Sequence, residues 1–535
     1  MEEKGYLLLV LHTHQPYVLD PTMEHRLEEN WLYESLTECY LPLLEAMKKL
    51  IKDTVDFRIT FSLTPCLLDM LDNPLIKTRY PRYLDERIRL AESETQRWRN
   101  HGELFSLAQL YLEKFKRCRE LFSQWNGDVV GEFKKIQESG KVEILASAAT
   151  HAYFPLWEIY PQVVDFQVRI GLKQYERYFG KKKALGFWLP ECGYYTNIDA
   201  LLQQNGIKYF FLDKHGIMNG HPRPWFGEYA PIHCPSGVAA FGRDWESHDI
   251  VWLKDKGYPG DPYYLDYDKD LCTDLGSDYL ASFVHSYPGE KTGIKYSRNA
   301  TTSGREFYNP NLAFTRCDAH ANDFMARCRH QVERLYMQLG RPPVIVALFD
   351  TELFGHWWAE GHNWLDLVIR KMVYDQKTIK LITAEDYLKM FPRNQVIMPS
   401  MSSWGYQGYS ETWLSGRNHW IYPELFKSIE VFDRWLEKFP NPDTGTRIAL
   451  NQYLRELLMA QSSDWAFIMH TQTAQAYAEK RVKEHIGNMH AICRQLKANN
   501  INVEELNVIK KKNNIFSNLD LLDLYRVSKK NCVPG

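Results

Sequence analysis

Six short apolar runs recur along the first 350 residues of the chain. They occupy residues 6–11, 57–63, 142–146, 185–189, 209–212 and 344–349. Continuous apolar runs, rather than alternating ones, are typical of parallel strands that helices cover on both faces. Helix-like segments separate most of the runs, and this alternation predicts an α/β architecture. The length of 535 residues favours a closed barrel with one or two smaller domains.

Two stretches depart from this alternating pattern. Residues 70–140 are rich in Glu, Arg, Lys and Leu and poor in strand-forming residues, which predicts an inserted helical subdomain. After about residue 400, apolar residues recur at helical spacing, as in the segment RIALNQYLRELLMAQ. We therefore expect a catalytic barrel built from residues 1–69 and 141–400, and a C-terminal helical domain at 401–535 that contributes to the substrate cleft.

Composition limits the classes of partner. Lys and Arg total 65 against 67 Asp and Glu, so no excess of positive charge favours nucleic acid or an anionic membrane. Aromatic residues make up 14% of the chain, and their flat faces suit neutral carbohydrate. The N-terminal apolar run is too short for a secretory signal, and the ten cysteines are scattered without a C-x-x-C pair. These features predict a cytoplasmic protein with reduced thiols.

Reactive side chains follow four of the apolar runs. His12 and His14 follow the first run, His151 the third, Glu191 the fourth and Asp350 the last. In α/β barrels the active site forms at the C-terminal ends of the strands, so we expect these side chains to meet there.

Glu191 and Asp350 form the first candidate pair. Two carboxylates that face each other across a pocket are what glycoside hydrolysis requires, one to attack or stabilise the sugar centre and one to protonate the leaving oxygen. The alternative is that each carboxylate only caps a following helix. Their shared position at strand ends, together with the histidines, favours catalysis.

The histidines allow two interpretations. His12 and His14 alternate along a strand and project to the same side, where they would bind sugar hydroxyls and the nucleophile. A metal site that also used His151 and Asp350 is the other possibility. Signatures of phosphate-binding loops, dinucleotide sites, serine hydrolases and zincins are missing from the sequence.

Five ordered motifs resemble the conserved regions of glycoside hydrolase family 57. They are HTHQPYV at 12–18, EILASAATHAYFPL at 143–156, FWLPECGYY at 187–195, LFDTELFGHWWAEG at 348–361 and SSWGYQGYSETWLSG at 402–416. The match looks closest to the family's 1,4-α-glucan branching enzymes, and its α-amylase-like members are also similar.

The resemblance implies a (β/α)7 barrel with an inserted helical domain and a C-terminal helical domain. It also implies a retaining mechanism without a metal or cofactor, with Glu191 as nucleophile and Asp350 as general acid/base. By the same resemblance His12, His14 and His151 would line the site.

Further substrate contacts follow from the same resemblance. Trp404 and Trp413 are predicted sugar platforms, and Trp31, Arg243 and Asp464 are predicted substrate-binding residues. The segment 215–231, with Tyr229, is the predicted mobile loop that would exclude water from the site.

The sequence thus predicts a branching enzyme that acts on α-1,4-glucans such as amylose, starch or glycogen. An α-amylase or 4-α-glucanotransferase on the same site is the nearest alternative. A non-catalytic glucan-binding protein and a metal-dependent hydrolase are alternatives of other classes.

Overall fold

The computed structural model describes residues 3–24, 26–180, 183–254, 256–275, 277–283, 290–299, 306–522 and 524. Its strands are β1 (Gly5–Thr13), β2 (Ile59–Leu63), β3 (Val142–Ser147), β4 (Gly186–Trp188), β5 (Tyr209–Leu212), β6 (Ile232–His233), β7 (Ala239–Gly242), β8 (Val344–Asp350) and β9 (Ile379–Leu381).

These strands form a curved sheet in the order β6-β7-β5-β4-β3-β2-β1-β8, with β9 also paired to β1. Every pairing is parallel except the one between β6 and β7. The backbone N–H of Asp244, just beyond β7, donates to the carbonyl of Val346 on β8 at 2.8 Å. This bond connects the β7 side of the sheet to β8 at the opposite edge. The predicted (β/α)7 barrel is confirmed by the similar structures.

Side-chain alternation along the strands divides the core into two layers. Leu7, Leu9 and Leu11 of β1 join the large core shared with the surrounding helices. Alternate residues pack together inside the barrel, namely Tyr6, Leu8, Val10, Val344, Val346, Leu348, Trp188, Phe211 and Phe241. His12 and Asp350 continue this inward-facing series at the C-terminal ends of β1 and β8, where they are paired in register.

Helices surround the barrel and continue beyond it. They are α1 (Leu27–Ser35), α2 (Leu41–Lys52), α3 (Pro65–Leu71), α4 (Pro74–Arg97), α5 (Gly102–Gln124), α6 (Val129–Glu138), α7 (Pro161–Phe179), α8 (Ile198–Gln204), α9 (Lys214–Met218), α10 (Trp245–Trp252), α11 (Leu271–Asp274), α12 (Ser277–Leu280), α13 (Pro310–Leu339), α14 (Gly361–Tyr374), α15 (Ala384–Met390), α16 (Ile421–Lys438), α17 (Thr444–Ala460), α18 (Ser463–Thr471), α19 (Gln475–Ala498) and α20 (Val503–Lys512). A π-helical turn, Leu36–Tyr40, connects α1 to α2.

Helices α4 to α6 cover most of the predicted insertion, and α16 to α20 form the predicted C-terminal helical domain, whose residues 523 and 525–535 lie outside the described ones. The exact domain boundaries stay a prediction. In the described part of the chain, no helix combines the length and apolar character needed to cross a bilayer. The cysteines within that part are free thiols; Cys532 lies outside it.

Candidate active site

Glu191 lies in a tight turn directly after β4. The turn Pro190–Cys192 holds Glu191 at φ 61° and ψ 21°, in the left-handed region. Glutamate rarely adopts this conformation, and such residues persist where the surrounding structure fixes them, often at functional sites. Here the backbone N–H of Trp404 donates to the Glu191 carbonyl at 3.0 Å, so a segment of the C-terminal third holds the turn.

Two side chains from the C-terminal third hold the Glu191 carboxylate. The indole Nε1 of Trp404 donates to Oε2 at 2.8 Å, and the Ser463 hydroxyl donates to Oε1 at 2.8 Å. Burial raises the pKa of Glu191 above its ordinary value, while these two hydrogen bonds and the charge on His14 oppose that rise. The carboxylate is therefore fixed in orientation and supported in its ionised form.

Asp350 ends β8, and its environment differs from that of Glu191. Burial, followed by repulsion from Glu352 and from Glu191, raises the pKa of Asp350 well above its ordinary value. The positive charges of His14 and Arg243 oppose this rise without outweighing it. Asp350 is therefore the carboxyl that retains its proton. The pKa of Asp350 is raised further than that of Glu191, and such a difference between two carboxyl groups is typical of an acid and a nucleophile.

Three histidines link the strand ends to Glu191 through a chain of hydrogen bonds. His12 Nδ1 lies 3.0 Å from Ser62 Oγ, and His12 Nε2 lies 3.0 Å from His151 Nε2. His151 Nδ1 lies 2.9 Å from Ser463 Oγ, the hydroxyl that donates to Glu191. One assignment satisfies every contact: His12 carries its proton on Nε2 and His151 carries its proton on Nδ1. Burial lowers the pKa of both rings, and the charge on His14 lowers them further, which keeps both neutral as this chain requires.

His14 has the opposite charge state. Its Nε2 lies 3.0 and 3.1 Å from the two oxygens of Asp464 at the start of α18. Burial lowers the pKa of His14, but the Asp464 carboxylate and Cys66 outweigh it and raise the pKa well above its ordinary value. The site thus contains a protonated imidazole beside two neutral ones.

The metal interpretation can be tested on the same rings. Potential ligand atoms of His14, His151 and Asp464 lie within 4.8 Å of one another, and Asp350 is not among them. The His14 and His151 rings, however, are stacked, with centroids 3.9 Å apart and planes only 23° apart. A metal lies near the plane of each imidazole that binds it, at about 2.0–2.1 Å for zinc. Stacked rings do not converge on such a point, so the arrangement fits a hydrogen-bonded network better than a metal centre.

Arg243, at the end of β7, also reaches the site. Its guanidinium pairs with Asp213 at the end of β5, and its centre lies 5.8 Å from the Trp404 ring. Burial raises the pKa of Asp213, but His215 and Arg243 outweigh it and keep the pKa below its ordinary value. The predicted residue Arg243 therefore forms an ion pair with Asp213, and its positive charge acts on Asp350. Asp213 was not among the predicted residues.

The two tryptophans predicted as sugar platforms have different environments. Trp404 is half-buried and donates to Glu191, so it orients the carboxylate directly. Trp413 is only 1% exposed and stacks on Tyr153 with ring centroids 4.2 Å apart. In this structure the enclosed ring has no free face for a sugar, which favours a packing role, and the platform role of Trp413 stays a prediction.

The described contacts of Trp31 and Tyr229 are with residues other than the two carboxyl groups. Trp31 is half-buried, and its ring lies nearly perpendicular to that of Tyr477, with the two ring centroids 5.7 Å apart. Tyr229 lies in the turn Gly227–Tyr229, where its half-buried phenol lies near Gln331 on α13, and burial raises its pKa. No described contact joins the predicted loop tyrosine to Glu191 or Asp350, and its role stays a prediction.

Comparisons with known proteins agree with this architecture. The model of glycosyl hydrolase family 57 matches residues 8–400, and the model for the C-terminal part of 1,4-alpha-glucan branching enzymes matches residues 424–523. The chain is 30% identical over 522 residues to a 1,4-alpha-glucan branching enzyme of Thermococcus kodakarensis, covering 92% of this chain and 74% of that protein.

Two solved structures are similar over nearly their whole length. The alpha-amylase AmyC of Thermotoga maritima is 39% identical with a TM-score of 0.89, covering 97% of this chain and 99% of that one. The GH57-type branching enzyme of Pyrococcus horikoshii is 32% identical with a TM-score of 0.87, covering 98% and 97%.

Proposed function

This chain belongs to glycosyl hydrolase family 57, and from that premise we propose that it is a cytoplasmic, retaining 1,4-α-glucan branching enzyme. It cleaves an α-1,4 bond in a glucan such as amylose, starch or glycogen and transfers the released chain to a 6-hydroxyl. The match of residues 424–523 to the C-terminal part of branching enzymes supports this activity over others of the family.

The observation that carries the proposal is the unequal environment of the two carboxyl groups. Glu191 is held by the hydrogen-bond donors of Trp404 and Ser463, while burial and two neighbouring carboxylates hold the proton on Asp350. An ionised carboxylate beside a protonated carboxyl group is the starting state of a retaining glycosidase.

The reaction then proceeds in two displacements. Glu191 attacks the anomeric carbon while Asp350 gives its proton to the departing glycosidic oxygen, and a covalent glycosyl ester forms on Glu191. In the second step the Asp350 carboxylate takes the proton from the acceptor 6-hydroxyl, whose oxygen attacks the same carbon and releases Glu191. Two inversions leave the α configuration unchanged.

The histidines support this cycle through their charges. Protonated His14 lowers the pKa of Glu191 and so favours the ionised nucleophile. Both nitrogens of the neutral His12 and His151 rings are used within a shared chain of hydrogen bonds, and this chain ends on the hydroxyl that orients Glu191.

An α-amylase is the second candidate, because two observations favour hydrolysis. The similar structure with 39% identity is an α-amylase. No described contact joins Tyr229, the predicted loop tyrosine, to Glu191 or Asp350, which supports access of water to the glycosyl ester. The two activities share the first displacement and differ only in the acceptor of the second.

Product analysis on amylose distinguishes the two candidates. We expect α-1,6 linkages, counted by proton NMR, to increase while the number of reducing ends stays nearly constant. An increase in reducing ends alone would show hydrolysis and refute branching.

Two variants test the residue assignments in the same assay. We expect Glu191→Gln and Asp350→Asn each to lower turnover by several orders of magnitude without lowering the melting temperature. Glucan binding that never leads to turnover in the wild-type protein would indicate a binding protein. Complete loss of activity after exhaustive chelation would favour a metal-dependent hydrolase.

A further inference from the structure

The loop that follows Asp350 packs against the π-helical turn Leu36–Tyr40. Three consecutive residues of the turn bind three positions of the loop: Glu38 Oε2 lies 2.5 Å from His356 Nδ1, Cys39 Sγ donates to the Thr351 carbonyl at 2.9 Å, and Tyr40 Oη donates to Glu352 Oε1 at 2.5 Å. π-helical turns are rare and occur frequently at functional sites.

The backbones of the turn and the loop are also in close contact. Gly355 has φ +124°, and a Cβ atom at this position would lie 1.9 Å from the carbonyl oxygen of Glu38. Only glycine fits such an approach. The turn therefore fixes the course of the loop that carries Glu352.

Glu352 is enclosed beside Asp350. Its side chain is buried and receives the Tyr40 hydroxyl at 2.5 Å and, more weakly, the backbone N–H of His14 at 3.4 Å. Neither contact is required by the two displacements described above, and Glu352 takes no part in either step. A buried acid next to the general acid/base nevertheless changes how that group binds its proton.

We propose that Glu352, anchored by Tyr40, is a positioning residue that keeps Asp350 protonated at neutral pH. This inference rests on the proposed role of Asp350 as general acid/base. The groups that face Asp350 are Glu352, Glu191, His14 and Arg243, and those that face Glu352 include Tyr40 and His14.

The direction of the effect follows from charge. Burial raises the pKa of Glu352 to about 7, while the Tyr40 hydroxyl favours its ionised form. Once Glu352 is ionised, a second negative charge on Asp350 is disfavoured, so the remaining proton stays on Asp350. The two groups titrate as a coupled pair, and the apparent values belong to the pair.

The pH dependence of kcat/KM for cleavage of α-1,4 bonds in amylose tests this inference. The basic limb reports loss of the proton from the general acid in the free enzyme. Removing the charge with Glu352→Gln should move this limb to lower pH by about one unit. Tyr40→Phe should move it in the same direction by less, because Glu352 then ionises less readily.

Tyr33→Phe is the matched control. Tyr33 is also a buried tyrosine that donates to a buried glutamate, Glu29, at 2.9 Å, but in α1 and outside the acid/base loop. The basic limb of the Tyr33→Phe pH profile should coincide with that of the wild type.

A purely structural role for Glu352 predicts that Glu352→Gln lowers kcat/KM equally at every pH and leaves the basic limb at its wild-type pH. This result would overturn the inference. If Glu352→Gln does not fold, the same criterion applies to Tyr40→Phe. Full activity of Asp350→Asn would instead refute the acid/base assignment of the proposed function and remove the premise.

Discussion

Replacing Ser463 by alanine tests how the nucleophile is held. Ser463 donates its hydroxyl to Glu191 Oε1 at 2.8 Å and accepts from His151 Nδ1 at 2.9 Å. The backbone N–H of Ser463 separately donates to the His151 carbonyl at 3.0 Å, and this bond survives the substitution. The variant therefore removes the hydroxyl while the backbone contact that seats α18 on the barrel remains.

The expected loss follows from the type of bond. A hydrogen bond to a charged group contributes about 1.5–3 kcal/mol. At about 1.4 kcal/mol for each factor of ten, kcat/KM for amylose cleavage should fall about 10- to 150-fold. Because the Ser463 hydroxyl opposes the raised pKa of Glu191, its removal raises that pKa further. Glu191 must be ionised to attack, so the acidic limb of the pH profile should move to higher pH.

Ser410→Ala is the control for this experiment, because the Ser410 hydroxyl lies 3.1 Å from the phenol of Tyr153 and has no described hydrogen bond to Glu191. It should leave both the rate and the acidic limb unchanged. The reasoning would be refuted if kcat/KM of Ser463→Ala stayed within about twofold of the wild-type value and the acidic limb did not move, because a hydrogen bond to a charged group contributes more than this.

Two further predictions concern stability. Because the pKa of Asp350 is raised in the folded protein, ionisation of Asp350 lowers the stability as the pH rises through that pKa. Asp350→Asn should therefore melt at a higher temperature than the wild type at alkaline pH, and this difference should disappear on acidification. Calorimetry that finds no such difference would contradict the raised pKa. Trp413→Ala should lower the free energy of unfolding by about 3–5 kcal/mol while the folded fraction binds amylose normally, and weaker binding at unchanged stability would support Trp413 as a platform.

The sequence located the residues at the strand ends because two rules coincide there. Continuous apolar runs identify β1, β4 and β8, and the residues after them face the same end of the barrel. Alternation along β1 and β8 also determines that His12 and Asp350 project inward. These properties depend on local pattern and on topology.

Contacts made by the C-terminal third were harder to predict. Ser463 reaches Glu191 across 272 positions of the chain, and serine is too common a residue to stand out. The only signal was its place next to Asp464, which was predicted to contact substrate. The burial of Trp413 was not predicted, because its segment is rich in Gly, Ser and Tyr, which is typical of an exposed loop. In the structure the same composition permits close packing: a Cβ atom at Gly405 would lie 2.5 Å from the Trp413 ring.

The position of Ser463 and Asp464 late in the chain has a consequence for biosynthesis. Once β1 to β8 have been translated, both carboxyl groups are already present in the nascent chain. Ser463, which donates to Glu191, and Asp464, which pairs with His14, follow Asp350 by more than a hundred codons. A nascent polypeptide therefore carries its reactive acids without the partners that align them. The growing chain acquires these partners only after the start of α18 has been synthesised.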